Sequence, residues 1–85
     1  MNKRYLAICF DLRGLAAQYP IEADRPKKAM TRAISKHWRL NGETASDAKL
    51  EADTSIDNTF VRNVSDTGPI WTAADNDNYW VMVKS

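Results

Sequence analysis

From Arg4 to Leu12 the chain carries apolar side chains on both faces of a two-residue alternation. Leu6, Ile8, Phe10 and Leu12 fall on one face, and Tyr5, Ala7, Cys9 and Asp11 on the other. An alternation with two apolar faces predicts a central β-strand. Arg13-Gly14 breaks it, and Leu15 to Ile21 reads as an extended return path, with one helical turn before Pro20 as the other option. At the far end two aromatic runs, Pro69-Ile70-Trp71-Thr72-Ala73 and Tyr79-Trp80-Val81-Met82-Val83, flank the polar segment Ala74 to Asn78. β-favouring residues on both sides of a run that tolerates positive φ predict a hairpin. Thr59 to Val64 adds a strand with mixed faces, and Ser65 to Pro69 a turn.

Between these strands the period changes. Ala29, Met30, Ala33, Ile34, His37 and Trp38 recur at helical spacing. Asp24 is a natural N-cap, Pro26 suits the first turn, and Asn41-Gly42 offers a left-handed stop. The spacing predicts a helix over about residues 25–40. The segment 43–57 is polar and acidic. Ser46 can cap a short helix through Ala52, but its apolar stripe is thin, so a short helix or a mobile loop is expected. The pattern as a whole reads as α+β: an antiparallel sheet of about four strands packed on one main helix.

The chain has 85 residues, which predicts one domain spanning 1–85 with a marginal core, so partner binding or self-association is a natural source of added stability. The single cysteine, Cys9, excludes an internal disulfide and sits in an apolar run, where it reads as a small hydrophobe of a cytoplasmic protein. The basic start is followed by an apolar run that Asp11 and Arg13 interrupt too early for a signal peptide, and no stretch has transmembrane length.

Net charge is +1, but it is unevenly placed. Residues 1–42 hold nine Lys/Arg against three Asp/Glu, and residues 43–85 hold three against eight. Arg25, Lys28, Arg32, Lys36 and Arg39 fall within an arc of about 80° at 100° per residue, and no acid occurs between Arg25 and Gly42. Such a stripe is either a solvated face or an electrostatic footprint for phosphate or an acidic surface.

Few residues nominate themselves for catalysis. His37 is the only histidine and falls within the apolar stripe, as a hydrogen-bonded core histidine does. A His/Cys metal site needs several ligands at suitable spacing, and none is present in the pattern. Asp11 is the one acid at the end of the first strand. Tyr5, Trp71, Tyr79 and Trp80 are candidates for a base-stacking platform or a protein-binding hot spot, although adjacent Tyr79 and Trp80 must point to opposite faces. No phosphate-loop, dinucleotide, nucleophile-elbow or metalloprotease motif occurs.

Ile21-Glu22-Ala23-Asp24-Arg25-Pro26-Lys27-Lys28-Ala29, with Ala33 beyond it, resembles a strand-to-helix pattern of small bacteriophage α+β proteins of the anti-CRISPR type. The resemblance implies one helix against a bent antiparallel sheet, and action by binding and blocking a larger host complex without catalysis. It carries over no individual residue. Tyr5 to Leu12 is similar to the first strand of VapD and Cas2-like ferredoxin-fold proteins, whose strand ends in a functional aspartate. That similarity implies a ribonuclease using Asp11. It departs after Gly42, where an acidic stretch stands in place of another strand.

The leading expectation is a non-enzymatic binding or inhibitor protein directed at a host protein or nucleoprotein complex. It would act through Arg25, Lys28, Arg32, Lys36 and Arg39, with Trp71 and Trp80 as aromatic contacts. No cofactor, metal or membrane is expected, and the location is the cytoplasm, that of the host cell if phage-encoded. The Asp11 ribonuclease, direct nucleic-acid binding and a homodimer complete the set.

Overall fold

The structure, a computed structural model, describes residues 2–59, 61–65, 68–74 and 78–85. Phe60, the turn residues Asp66 and Thr67, and Asp75, Asn76 and Asp77 of the hairpin gap lie outside the described residues.

Strand β1 (Lys3–Asp11) turns at Leu12-Arg13 and returns as β2 (Gly14–Ala23). Gly14 closes the turn opposite Asp11 at φ +114°, a conformation open to glycine without strain. The Asp11 carboxylate accepts the Arg13 backbone N–H at 2.7 Å and fixes the turn from inside. The segment 15–21 is therefore strand, the extended path of the two options, with an irregularity in pairing between Cys9 and Phe10.

Helix α1 (Pro26–Leu40) opens one residue later than Asp24 capping would place it. Arg25 is the N-cap, with an extended backbone (φ −151°, ψ 157°) and no side-chain cap bond. The cause is Pro26, whose ring pushes the preceding residue out of the helical region. Asp24 instead pairs with Lys28 at 3.8 Å. At the other end Gly42 takes φ +98° and stops the helix.

The acidic segment is a full helix, α2 (Ala45–Thr59), not a short one begun at Ser46. Thr44 is its cap: the Asp47 N–H donates to the Thr44 hydroxyl at 3.2 Å, and the Ala48 N–H to the Thr44 carbonyl at 2.9 Å. Ala48 and Ala52, one turn apart, are buried, and α2 packs on α1. Tertiary packing on α1 thus supports a helix whose described buried residues are Ala48 and Ala52.

Three strands follow: β3 (Val61–Ser65), β4 (Gly68–Ala74) and β5 (Tyr79–Lys84). The sheet is five-stranded, ordered β2-β1-β5-β4-β3, and every pairing is antiparallel. The first and last strands lie side by side at its centre. The early hairpin and the two consecutive helices leave no βαβ unit, so the order differs from the ferredoxin-like arrangement that the second resemblance implies.

Both helices cover the same face of the sheet. That inner face carries Tyr5, Ala7 and Cys9 from β1, Tyr19 and Ala23 from β2, Trp71 and Ala73 from β4, and Trp80 and Met82 from β5. Against it lie Ala29, Met30, Ala33 and Ile34 of α1. Tyr5 meets Trp71 edge to face at 5.8 Å, and Tyr19 stacks on Trp80 at 6.1 Å. The Trp80 indole N–H is buried and finds no acceptor among the described residues.

Trp80 is fully buried, so Trp80→Ala should lower unfolding free energy by about 3–5 kcal/mol. Thr44→Ala removes only a cap and should cost about 1 kcal/mol. Urea unfolding of both variants checks the ranking. Equal losses would mean that α2 is as decisive as the aromatic core.

Candidate functional site

Burying Ala29, Met30, Ala33 and Ile34 turns the cationic positions of α1 outward, and Arg25, Lys28, Arg32, Lys36 and Arg39 are all exposed. The structure then divides them. Arg32, Lys36 and Arg39 line a groove of about 590 Å³ with Thr31, Ser35 and Leu40, where the start of α2 contributes Ala45 and Lys49. Arg25 and Lys28 stand outside that lining, and Lys28 is already paired with Asp24. Among the described residues no carboxylate lines the groove.

Two of the groove cations also hold the edge of the fold. Arg32 donates to the Glu22 backbone carbonyl at 2.6 Å, tying α1 to β2 without neutralising the guanidinium. The Lys36 ammonium sits 5.7 Å from the centre of the Tyr19 ring. Among the described residues Arg39 and Lys49 have no such structural partner, and both are exposed. Lys49 escaped the sequence reading because it sits in an acidic stretch. The signal for it was Thr44-x-x-Asp47, which starts α2 soon after Gly42 and doubles the chain back beside α1.

A second concavity, about 580 Å³, opens between the β1–β2 hairpin and the end of α1. Asp11, Tyr19, His37, Trp38, Asn41 and Asn78 line most of it. The Tyr19 hydroxyl and His37 Nδ1 share a hydrogen bond of 2.8 Å, and the His37 ring packs edge-on to Trp80 at 5.3 Å. His37 is thus half-buried in an aromatic nest with a phenol partner. Asp11 lies on the rim, its carboxylate engaged by the turn. Cys9 is fully buried, with its thiol directed to the Asn78 side-chain oxygen at 3.7 Å. Among the described residues no three His, Cys, Asp or Glu stand close enough to hold a metal ion.

The aromatic contacts require correction. Trp71 and Trp80, expected as surface contacts, are buried beneath the helices, and so is Tyr5. Their parity in β4, β5 and β1 points them to the helix side, so they build the core and cannot stack on an external base. Tyr79, on the opposite parity from Trp80, is the exposed ring, at 48%.

Comparison of the chain with protein-family models, with curated proteins and with solved structures gives no match. No described helix is long and apolar enough to cross a membrane.

Burial raises the phenol pKa of Tyr19 above its ordinary 10.0, with the charge of Cys9 adding to the effect. Tyr5 is raised likewise, by burial and then by Asp24. The folded chain therefore keeps both phenols protonated at a pH where the unfolded chain ionises them. Their stabilisation is fully present below pH 10 and is lost as pH rises through the folded values. Stability measured by urea unfolding should be level up to about pH 10 and fall above it, and the fall should shrink in Tyr19→Phe. An identical alkaline profile for that variant would exclude Tyr19 as a source.

Proposed function

We propose that this is a non-enzymatic binding protein that lays the cationic groove of α1 on the phosphate backbone of a nucleoprotein complex and blocks it. A phage-type inhibitor works by such occupancy. The observation that carries the reading is the convergence of Arg32, Lys36, Arg39 and Lys49 on one groove without a lining carboxylate.

Like charges at four-residue spacing on a helix repel and stabilise nothing. Residues four apart on a helix are about 6 Å apart along its axis, which makes a ladder of cations. Ser35 places a hydroxyl group between the cations, and a hydroxyl donates readily to a phosphate oxygen, whereas the Thr31 hydroxyl already donates to the Lys27 carbonyl at 2.9 Å. Lys49 adds a cation from a different element, so the charge spans a surface and not a single helical line. Among the described residues the groove has no neutralising partner of its own, which favours ligand over scaffold as the reason for the charge.

A specific arrangement also keeps the ribonuclease reading in view as second choice: Asp11, His37 and Tyr19 share one cleft. Among the described residues the cleft offers no second carboxylate, and the Asp11 carboxylate is engaged by its turn, so acid–base chemistry ranks below binding. Under that reading Asp11→Asn would abolish RNA cleavage by a folded protein.

The binding test uses Arg39→Glu with Lys49→Glu, which spares the contacts of Arg32 and Lys36. Exposed charge changes of this kind should alter stability by no more than about 1 kcal/mol. Anisotropy titration with a labelled single-stranded RNA is the probe. With four cations engaged, the log–log salt dependence of affinity should have a slope near −3. The double reversal should weaken binding tenfold or more and flatten that slope. Equal affinity in parent and variant would remove the groove from the interface.

A further inference from the structure

The sheet has a second face, and it is the wrong chemistry for solvent. Both helices lie over the inner face, so the outer face of the described strands has no covering element. In an antiparallel sheet with one face free, that face is normally polar. Here the register aligns three apolar rows across the central strands. Leu6 pairs with Val83 and Val83 with Ile70; Ile8 pairs with Val81 and Val81 with Thr72; Phe10 pairs with Tyr79 and Tyr79 with Ala74.

The distribution of volume sharpens the point. Seven of the fifteen buried apolar residues that are described are alanines. The larger aliphatics of β1 and β5, namely Leu6, Ile8, Val81 and Val83, sit on the uncovered side, each only partly shielded by its neighbours. Leu12, at the hairpin tip beside this face, is 90% exposed. Monomer surfaces rarely hold a contiguous apolar patch beyond a few hundred Å².

We propose that this face is the interface of a homodimer, in which two copies pack sheet against sheet about a two-fold axis through the Ile8–Val81 region. Charge selects the second copy as the occupant. Among the described residues the outer face carries one charged pair, Arg4 and Glu22 at the β2 edge, 3.4 Å apart and of opposite sign. Two such faces meet without net repulsion, whereas two α1 faces would repel. Area agrees. Five strands span about 24 Å, and strands of about 20–30 Å give a flat projection of about 500–700 Å². The accessible area of a corrugated face exceeds its projection and approaches the roughly 800 Å² per partner of a standard interface. Stacked sheets pack about 10 Å apart with strands within about 30° of each other.

The experiment is sedimentation velocity and melting of the full chain across a wide concentration range. The chain mass is 9.6 kDa, and the dimer has twice that mass and a correspondingly larger sedimentation coefficient. Its melting temperature should rise with protein concentration, because dissociation opposes folding less as concentration increases. Ile8→Lys and Val81→Glu, made singly and together, place charge at the proposed axis. Ile8 and Val81 are direct cross-strand partners, so the double variant retains an attractive pair within the monomer. Each variant should weaken dimerisation more than about a hundredfold, by forcing charge out of water at the interface. Arg39→Glu, on the helix side, should leave dimerisation unchanged. A parent chain that sediments as a monomer with a concentration-independent melting point overturns the proposal. So does a folded Ile8→Lys/Val81→Glu protein that dimerises as tightly as the parent. If the variants fail to fold, spin labels at Thr72 of the otherwise native chain decide. Two labels close across the axis support the dimer, and no intermolecular distance rejects it. A monomer that instead captures a different protein on this face counts as rejection.

Discussion

The pairing of β1 with β5 is the constraint on which the rest of the structure depends. It joins the two ends of the chain in register, with Ala7 opposite Met82 and Cys9 opposite Trp80. Side chains alternate along a strand, so a slip of one residue would exchange the faces. Trp80 and Met82 would move to the open side, and Val81 and Val83 would move beneath the helices. The pairing is also the costliest to form, because it closes a loop of almost the whole chain. What repays that cost is aromatic burial: Trp80 gathers Tyr19 and His37 around it, and Tyr5 meets Trp71 across the sheet.

The inner face explains where the cations point. Ala29 and Ala33 on α1, Ala48 and Ala52 on α2, and Ala7, Ala23 and Ala73 on the sheet are all buried. Small side chains let the helices approach the sheet closely, and the few large rings fill the remaining volume. With the alanine side of α1 committed inward, the cationic arc has only solvent to face. Arg32 and Lys36 then reach sideways to β2, to the Glu22 carbonyl and the Tyr19 ring, which keeps part of the arc at a fixed geometry. The groove is therefore anchored to the sheet through two of its own cations.

Much of this was legible in the residues. Apolar alternation on both faces of residues 5–12 marked β1 as central, and the spacing from Ala29 to Trp38 marked the buried side of α1. His37 fell on the inner side, where it found Tyr19 as its hydrogen-bond partner. Three features were not legible, each for a physical reason. The start of α1 was set by the steric reach of Pro26 over Arg25, which outweighed the better capping chemistry of Asp24. The packing of α2 on α1, where Ala48 and Ala52 are buried, is a tertiary effect that a thin apolar stripe does not announce. The burial of Trp71 and Trp80 came from parity: alternation identifies two faces but does not say which one a helix will cover. For β1 the covered face proved to be Tyr5-Ala7-Cys9, and the larger aliphatics were left outside.

That last outcome separates two surfaces that composition blends together. Formal net charge is near zero, yet α1 concentrates cations and, among the described residues, the outer sheet face is nearly uncharged. A polyanion has no reason to approach the second, and an apolar partner has none to approach the first, because desolvating unpaired cations is expensive. The two surfaces lie on opposite sides of one thin layer of sheet and can be occupied together. In a pair of chains joined through their sheets, the two α1 grooves face outward in opposite directions, related by the same axis. One continuous anionic strand would have to bend around the pair to reach both. Two separate anionic segments, held apart in a larger assembly, could engage both grooves directly, with the second contact made at the high effective concentration set by the first. Under the two proposals together, the geometry favours bridging over wrapping.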